Sequence, residues 1–344
     1  MPQRKRKHKF NDVLELVLAE RKNRYTSLTT AVWEEKISRK ISTYFENKYI
    51  EQVDEVTLNH FFSFVRYKEN GELISDKYMK AIVSLMKSVM KKAFMKSYIP
   101  VNPFDYDYKP PKGKIPQPTE RIISDKDLQL LFKAVNENQR FKIIIPMLLN
   151  TGMRIGELLG LYWSDVDFDN QIIHVQRAVC VNYVETPEGE IIAKGMKISA
   201  TKTQNSVREI PVNDLVINLL IEWLEYRDER KGWKKAIYEN DNQNLIFPNY
   251  AGRITNPQYL YQDLMDFLKE HNLDKCKIMF HKLRHCYATH MLDAGVDIDV
   301  ISKLLGHKSI TTTANTYVKV QLKPKIEAVK KHDKYMQRYL SELY

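Results

Sequence analysis

Cysteine is scarce: three in 344 residues, Cys180, Cys276 and Cys286, with no CxxC pair. That excludes a disulfide framework and points to a reducing compartment. Only 11 residues are glycine, and neither GxGxxG nor GxxxxGK[ST] occurs, so nucleotide binding has no support. Long apolar runs are missing as well. The richest one, Ile143-Ile144-Ile145-Pro146-Met147-Leu148-Leu149, is far too short to span a bilayer, so no membrane partner is expected. The basic start, Met1 to Lys9, leads into no apolar h-region, which argues against a signal peptide. An HExxH motif is absent too. His281 and His285 have its i, i+4 spacing, but residue 282 is Lys and Arg284 would repel a cation on the same face. The expectation is a soluble, cytoplasmic protein with no metal and no cofactor.

Positive charge is abundant. The net charge is +11, and residues 1–120 hold 23 Lys and Arg against 15 Asp and Glu, so most of the excess lies in the front third. Such a front part suits a polyanionic partner whose phosphates it tracks through counterion release. Hydrophobic residues make up 43% and aromatics 11%, enough for sizeable cores, and the length suits two domains.

Six of the 13 prolines fall between Pro100 and Pro118. Proline has no amide donor and disfavours helix in the residue before it, so this stretch reads as an extended linker. The expected division is a basic N-terminal arm at 1–24, a helical domain at 25–104, the Pro-rich linker at 105–122 and a second domain at 123–344. Apolar spacing predicts helices over 29–49 and 78–98, the latter carrying a solvated face of Lys80, Lys87, Lys91, Lys92 and Lys96. After the linker, Ser124 is the expected N-cap of a helix over 125–136, followed by helices over 139–150, with a kink at Pro146, and 154–162. Strands are expected at 171–179, 197–201 and 207–212, the last two joined by a polar hairpin turn around Lys202. Helices resume near 214–230, 257–271, 281–294 and 298–305, with a further one in the tail from Pro324. The fold class is therefore mainly α with a small antiparallel β-sheet.

Four segments of the second domain combine unusually: Thr151-Gly152-Met153-Arg154-Ile155-Gly156-Glu157-Leu158, Thr201-Lys202-Thr203, His281-Lys282-Leu283-Arg284-His285, and Leu305-Gly306-His307 with Tyr317 ten residues on. Attack on a phosphodiester builds negative charge on the non-bridging oxygens, which the guanidinium forks of Arg154 and Arg284 could stabilise. Lys202 could protonate a leaving 5′ oxygen, and His281 and His307 could position phosphate oxygens and move protons. The Tyr317 hydroxyl could form a phosphotyrosyl ester that conserves the bond energy for rejoining. Glu157 reads as a structural partner for a nearby base and stays outside the catalytic set.

These segments resemble the tyrosine recombinase, or phage-integrase, family. Its active site joins an Arg in a TGxR turn, a Lys in a β-hairpin, an HxxR pair, an LGH segment and a following Tyr. Arg154, Lys202, His281, Arg284, His307 and Tyr317 match those positions in order. The resemblance implies a two-domain, C-shaped clamp on double-stranded DNA, with a core-DNA-binding domain in front of the catalytic one. It further implies a 3′-phosphotyrosyl intermediate and a homotetramer on synapsed sites, with an accessory DNA-bending or excision factor as a further partner. The tail after Tyr317 would dock on a neighbouring protomer, although packing on its own domain reads equally well. The role expected is integrase of a phage or other mobile element. A Xer-type resolvase of chromosome or plasmid dimers is the alternative, and a type IB topoisomerase is more distant. Two departures stand out: the roughly 25 residues before the helical domain, led by Arg4-Lys5-Arg6-Lys7-His8-Lys9, read as a basic arm rather than a folded arm-binding reader, and the stretch from Cys180 to Met196 is long for a compact resolvase.

Overall fold

The computed structural model of the chain describes residues 7–22, 27–68, 70–105, 108–114, 122–188, 190–201, 206–307 and 309–317. The expected tail helix from Pro324 and the turn residue Lys202 lie outside these. The chain divides into two compact units, Met1–Pro116 with Tyr183–Ala193, and Gln117–Asn182 with Lys194–Tyr344.

The first unit is helical: α1 (Phe10–Lys22), α2 (Leu28–Tyr44), α3 (Glu55–Val65) and α4 (Asp76–Met95). Ser27, Asp54 and Ser75 cap α2, α3 and α4, each side chain accepting from a backbone N–H of the first turn. The largest difference from the sequence reading is α1. Residues 10–22 are no free arm; Phe10, Val13, Leu14 and Val17 recur at helical spacing and are buried in the unit's core. The Phe10 ring stacks on Phe45, with centroids 4.0 Å apart. The flanking basic residues concealed this short apolar face. On α4 the buried stripe of Met79, Ile82, Leu85, Met86, Val89 and Met90 leaves Lys80, Lys87, Lys91 and Lys96 exposed, as expected of a solvated face. The linker is extended where it is described: Lys114 N donates to Ile74 O at 2.7 Å, and Asp76 N to Lys114 O at 3.1 Å.

The second unit begins with α5 (Asp125–Val135), which Ser124 caps as expected, then α6 (Gln139–Thr151) and α7 (Ile155–Leu159). Helix α6 is one continuous element with Pro146 inside it. Five strands follow: β1 (Val166–Asp167), β2 (Ile172–Val175), β3 (Arg177–Glu185), β4 (Ile191–Ala200) and β5 (Arg208–Pro211). They make two small sheets, of order β1-β2-β5 and β3-β4. The expected hairpin across Lys202 is corrected here, because β4 pairs with β3 while β5 pairs antiparallel with β2, Ile173 opposite Ile210. Pairing Ile173 and Ile210, both fully buried, seals β5 into the core and takes it from β4. Helices α8 (Asp214–Glu229), α9 (Lys231–Glu239), α10 (Pro257–Glu270), α11 (Phe280–Asp293), α12 (Ile298–Leu305) and α13 (Ile310–Tyr317) complete the unit. Its core joins α5, α6, α8, α10 and α11 with the inner faces of β2 and β5, and α11 lies along α6. Among the described residues, no helix is long and apolar enough to cross a membrane.

Replacing Phe10 by Ala should destabilise the protein by about 3–5 kcal/mol, the cost of removing a fully buried phenyl group. Urea unfolding measures it, and an unchanged midpoint would mean that α1 is no part of the core.

Candidate active site

Two backbone carbonyls organise the site. Helix α6 ends at Gly152, whose φ of +60° is the left-handed conformation of a helix C-cap. A Cβ there would stand 2.4 Å from Cδ1 of Tyr287 and 2.9 Å from Cδ2 of Leu305, so the close approach of α11 and α12 also requires glycine. Helix α12 ends the same way at Gly306, with φ of +66°. Both turns release a carbonyl from helical bonding, and Arg284 on α11 takes both: Nη1 donates to Gly152 O at 2.7 Å and Nη2 to Leu305 O at 2.5 Å. Arg284 is 1% exposed, the largest fully buried side chain among the described residues. A buried guanidinium without such acceptors would cost several kcal/mol, so these bonds are a condition of the fold.

Arg154 and His307 each lie two residues beyond one of those carbonyls. Arg154 is the N-cap residue of α7 and its side chain is 42% exposed. Its Nη1 donates to Glu157 Oε1 at 2.6 Å, and its backbone N donates to Glu157 Oε2 at 2.9 Å. Glu157 is 3% exposed and also accepts from Arg208 Nη2 at 2.8 Å. Burial alone would push the Glu157 carboxyl up; the hydrogen bond and charge of Arg208, with those of Arg154, hold it below the usual carboxylate range.

His281 is in the first turn of α11, one turn before Arg284, and its ring meets that of His285 edge-on at 4.5 Å. Although the residue is exposed at the surface, the protein packed about its ring, then Arg284 and Arg154, push its pKa down. His307 follows Gly306; its Nδ1 lies 2.7 Å from Oγ1 of Thr313, a residue of α13 with no exposed surface. Its pKa is pushed down to about 4 by burial, and then by Arg284, Arg154, Arg208 and His281. The ring is therefore neutral at pH 7, and the mutual influence of these groups places them in one electrostatic neighbourhood.

Four of the six residues singled out in the sequence, Arg154, His281, Arg284 and His307, thus converge. Tyr317 is the last residue of α13, the helix that Thr313 ties to His307. Lys202 lies outside the described residues, as does the side chain of Tyr317. Sequence reasoning missed Arg208 and Thr313. Arg208 stands six residues after Lys202, but its spacing alone gave it no role. Glu157 is a partner of bases, as read from the sequence. Among the described residues, no group of three or more His, Cys, Asp and Glu side chains could hold a metal ion.

Residues 121–323 match the phage integrase family, a span that contains every residue named for this site. The chain is 31% identical over 263 residues to a tyrosine recombinase XerC-like protein of Caldanaerobacter subterraneus subsp. tengcongensis, covering 74% of this chain and 65% of that relative. The chain thus spans just under two thirds of the length of that relative. It is 25% identical over 285 residues to a tyrosine recombinase of Thermosipho africanus, covering 81% of this chain and 86% of the relative. Among solved structures, the fold resembles the Tn1549 transposon integrase in complex with transposon right end DNA, with a TM-score of 0.70 and 23% identity over 95% of this chain and 98% of that one. A lambda integrase dimer bound to a COC′ core site shares the fold at a TM-score of 0.58 and 16% identity, over 90% of this chain and 77% of that one. With the family match spanning more than half of its length, and the Arg154, His281, Arg284 and His307 cluster inside that span, this chain belongs to the phage integrase family of tyrosine recombinases.

Proposed function

We propose that the protein is a site-specific DNA recombinase, the integrase of a phage or other mobile element, with Tyr317 as its nucleophile. The observation that carries the reading is the pair of hydrogen bonds that Arg284 donates to Gly152 O and Leu305 O, which gathers Arg154, His281 and His307 beside the helix that ends at Tyr317. In the proposed reaction the Tyr317 hydroxyl gives up its proton to one of the imidazoles, His281 or His307, as its oxygen attacks the phosphorus of a DNA strand and the bond to the 5′ oxygen breaks. Lys202 protonates that oxygen, leaving a 3′-phosphotyrosyl ester and a free 5′ hydroxyl. The hydroxyl of a partner strand then attacks the ester and frees Tyr317, so no external energy source is needed. Arg154, with Arg284 behind it, offsets the charge on the non-bridging oxygens, the work that a metal ion does in other phosphoryl transfers.

The first unit, with the exposed lysines of α4, takes the role of the core-DNA-binding domain, and the second that of the catalytic domain. Four copies would pair two sites, with an accessory DNA-bending or excision factor setting direction, in the cytoplasm. The structural similarity to a transposon integrase over 95% of the chain favours the mobile-element role. The XerC-like relative favours the second reading, a resolvase of chromosome or plasmid dimers.

Wild-type protein incubated with a pool of nicked duplexes, part random and part host genomic, should form a detergent-stable protein–DNA adduct, and Tyr317→Phe should form none while still binding DNA. Adduct formation by the Phe variant would remove Tyr317 from the nucleophile's role. Cleavage should be undiminished in EDTA; loss on chelation that magnesium restores would contradict the arginine-based mechanism.

The histidine adds a pH signature. A folded-state pKa of about 4 against an ordinary 6.5 means that the unfolded chain binds the extra proton first. The stability from a neutral His307 is therefore present above pH 6.5 and lost as pH falls towards 4. Thermal unfolding between those limits should depend less steeply on pH in His307→Asn; an unchanged slope would mean that His307 titrates normally.

A further inference from the structure

Arg208 is the first residue of β5, and its side chain is 6% exposed. Its guanidinium bonds in three directions: Nη2 to Glu157 Oε2 at 2.8 Å, Nε to Leu304 O at 2.6 Å, and Nη1 to Ser206 O at 3.2 Å. Leu304 lies three residues before His307, Glu157 three after Arg154, and Ser206 four after Lys202. One planar group therefore joins the chain segments of three candidate catalytic residues, and a lysine's single ammonium could not hold the same three directions.

The charges give this brace a second consequence. Arg154, Glu157 and Arg208 together carry one net positive charge beside the place where the phosphate would lie. Without Arg208 the buried Glu157 would be neutralised by Arg154 alone, and the pair would carry none. Both carboxylate oxygens would then draw the Arg154 fork towards α7 and away from a phosphate.

We propose that Arg208 is a positioning residue for strand cleavage, which frees Arg154 for the phosphate by neutralising Glu157 and holds the start of β5 against the end of α12. The inference rests on the tyrosine recombinase reading and adds to it a residue that would not itself touch the DNA.

The test is single-turnover cleavage of a nicked duplex whose sequence is the one recovered from the trapped adduct. Removing a charge that acts in the transition state typically costs about a hundredfold or more in rate. R208M should therefore cleave at least about a hundredfold more slowly, with its DNA affinity at fixed salt within about fivefold of wild type. The decisive variant is E157Q/R208M, which restores the single positive charge of Arg154 and buries no unpaired ion. It should cleave within about tenfold of wild type, since loss of the Leu304 tether is the smaller effect. Cleavage by R208M at the wild-type rate overturns the inference and leaves the recombinase reading intact. So does a folded double variant that remains at least about a hundredfold slow, because a merely structural role would not be relieved by neutralising Glu157. If R208M alone unfolds on heating below assay temperature, the double variant decides by the same criterion. Failure of the wild type to form any tyrosyl adduct overturns the recombinase reading and this inference together.

Discussion

A fully buried guanidinium must find acceptors, and in this protein that requirement shapes the site. Arg284 could be buried only because two helices stop in left-handed glycine turns and turn a carbonyl each towards it. The same bonds set the distance between the turn before Arg154 and the turn before His307. Packing follows from it: Tyr287 and Leu305 close over Gly152, where no Cβ could fit. A cluster of guanidinium and imidazole groups is thereby fixed by neutral backbone dipoles, as the proposed reaction on a DNA phosphate would need. Preorganisation of this kind is what electrostatic catalysis of phosphoryl transfer requires.

Around that centre lies a second layer built from one acid and one base. Glu157, ionised and buried between Arg154 and Arg208, converts two repelling guanidiniums into a stable triad. Thr313 does comparable work for His307, meeting its Nδ1 at 2.7 Å. Because Thr313 lies on the helix that ends at Tyr317, the imidazole and the proposed nucleophile belong to one connected segment. Function in the proposed reaction therefore depends on partners that contact no substrate.

Much of this was legible in the sequence, and the gaps have physical causes. Helix caps and apolar periods are local properties, so α5, α8 and α11 could be drawn within one residue and α4 within three. The Arg284 and His281 pair was legible for the same reason, standing one helical turn apart. Strand pairing is not local. Nothing between residues 197 and 212 announced that β5 would leave β4 for β2, because that choice rests on burying Ile210 against a strand more than thirty residues away. Helix α1 was obscured by its surroundings, since a basic start and end mask four apolar residues that only the core of the first unit explains. Arg208 was hidden for the same reason as β5: its acceptors on Glu157 and Leu304 are 51 and 96 residues distant.

The most direct measurement is to digest the trapped protein–DNA adduct with nuclease and protease and sequence the nucleotide-bearing peptide by mass spectrometry. A nucleotide joined through its 3′ phosphate to the tyrosine at position 317 is the predicted result. A link to another residue, or through a 5′ phosphate, would contradict it.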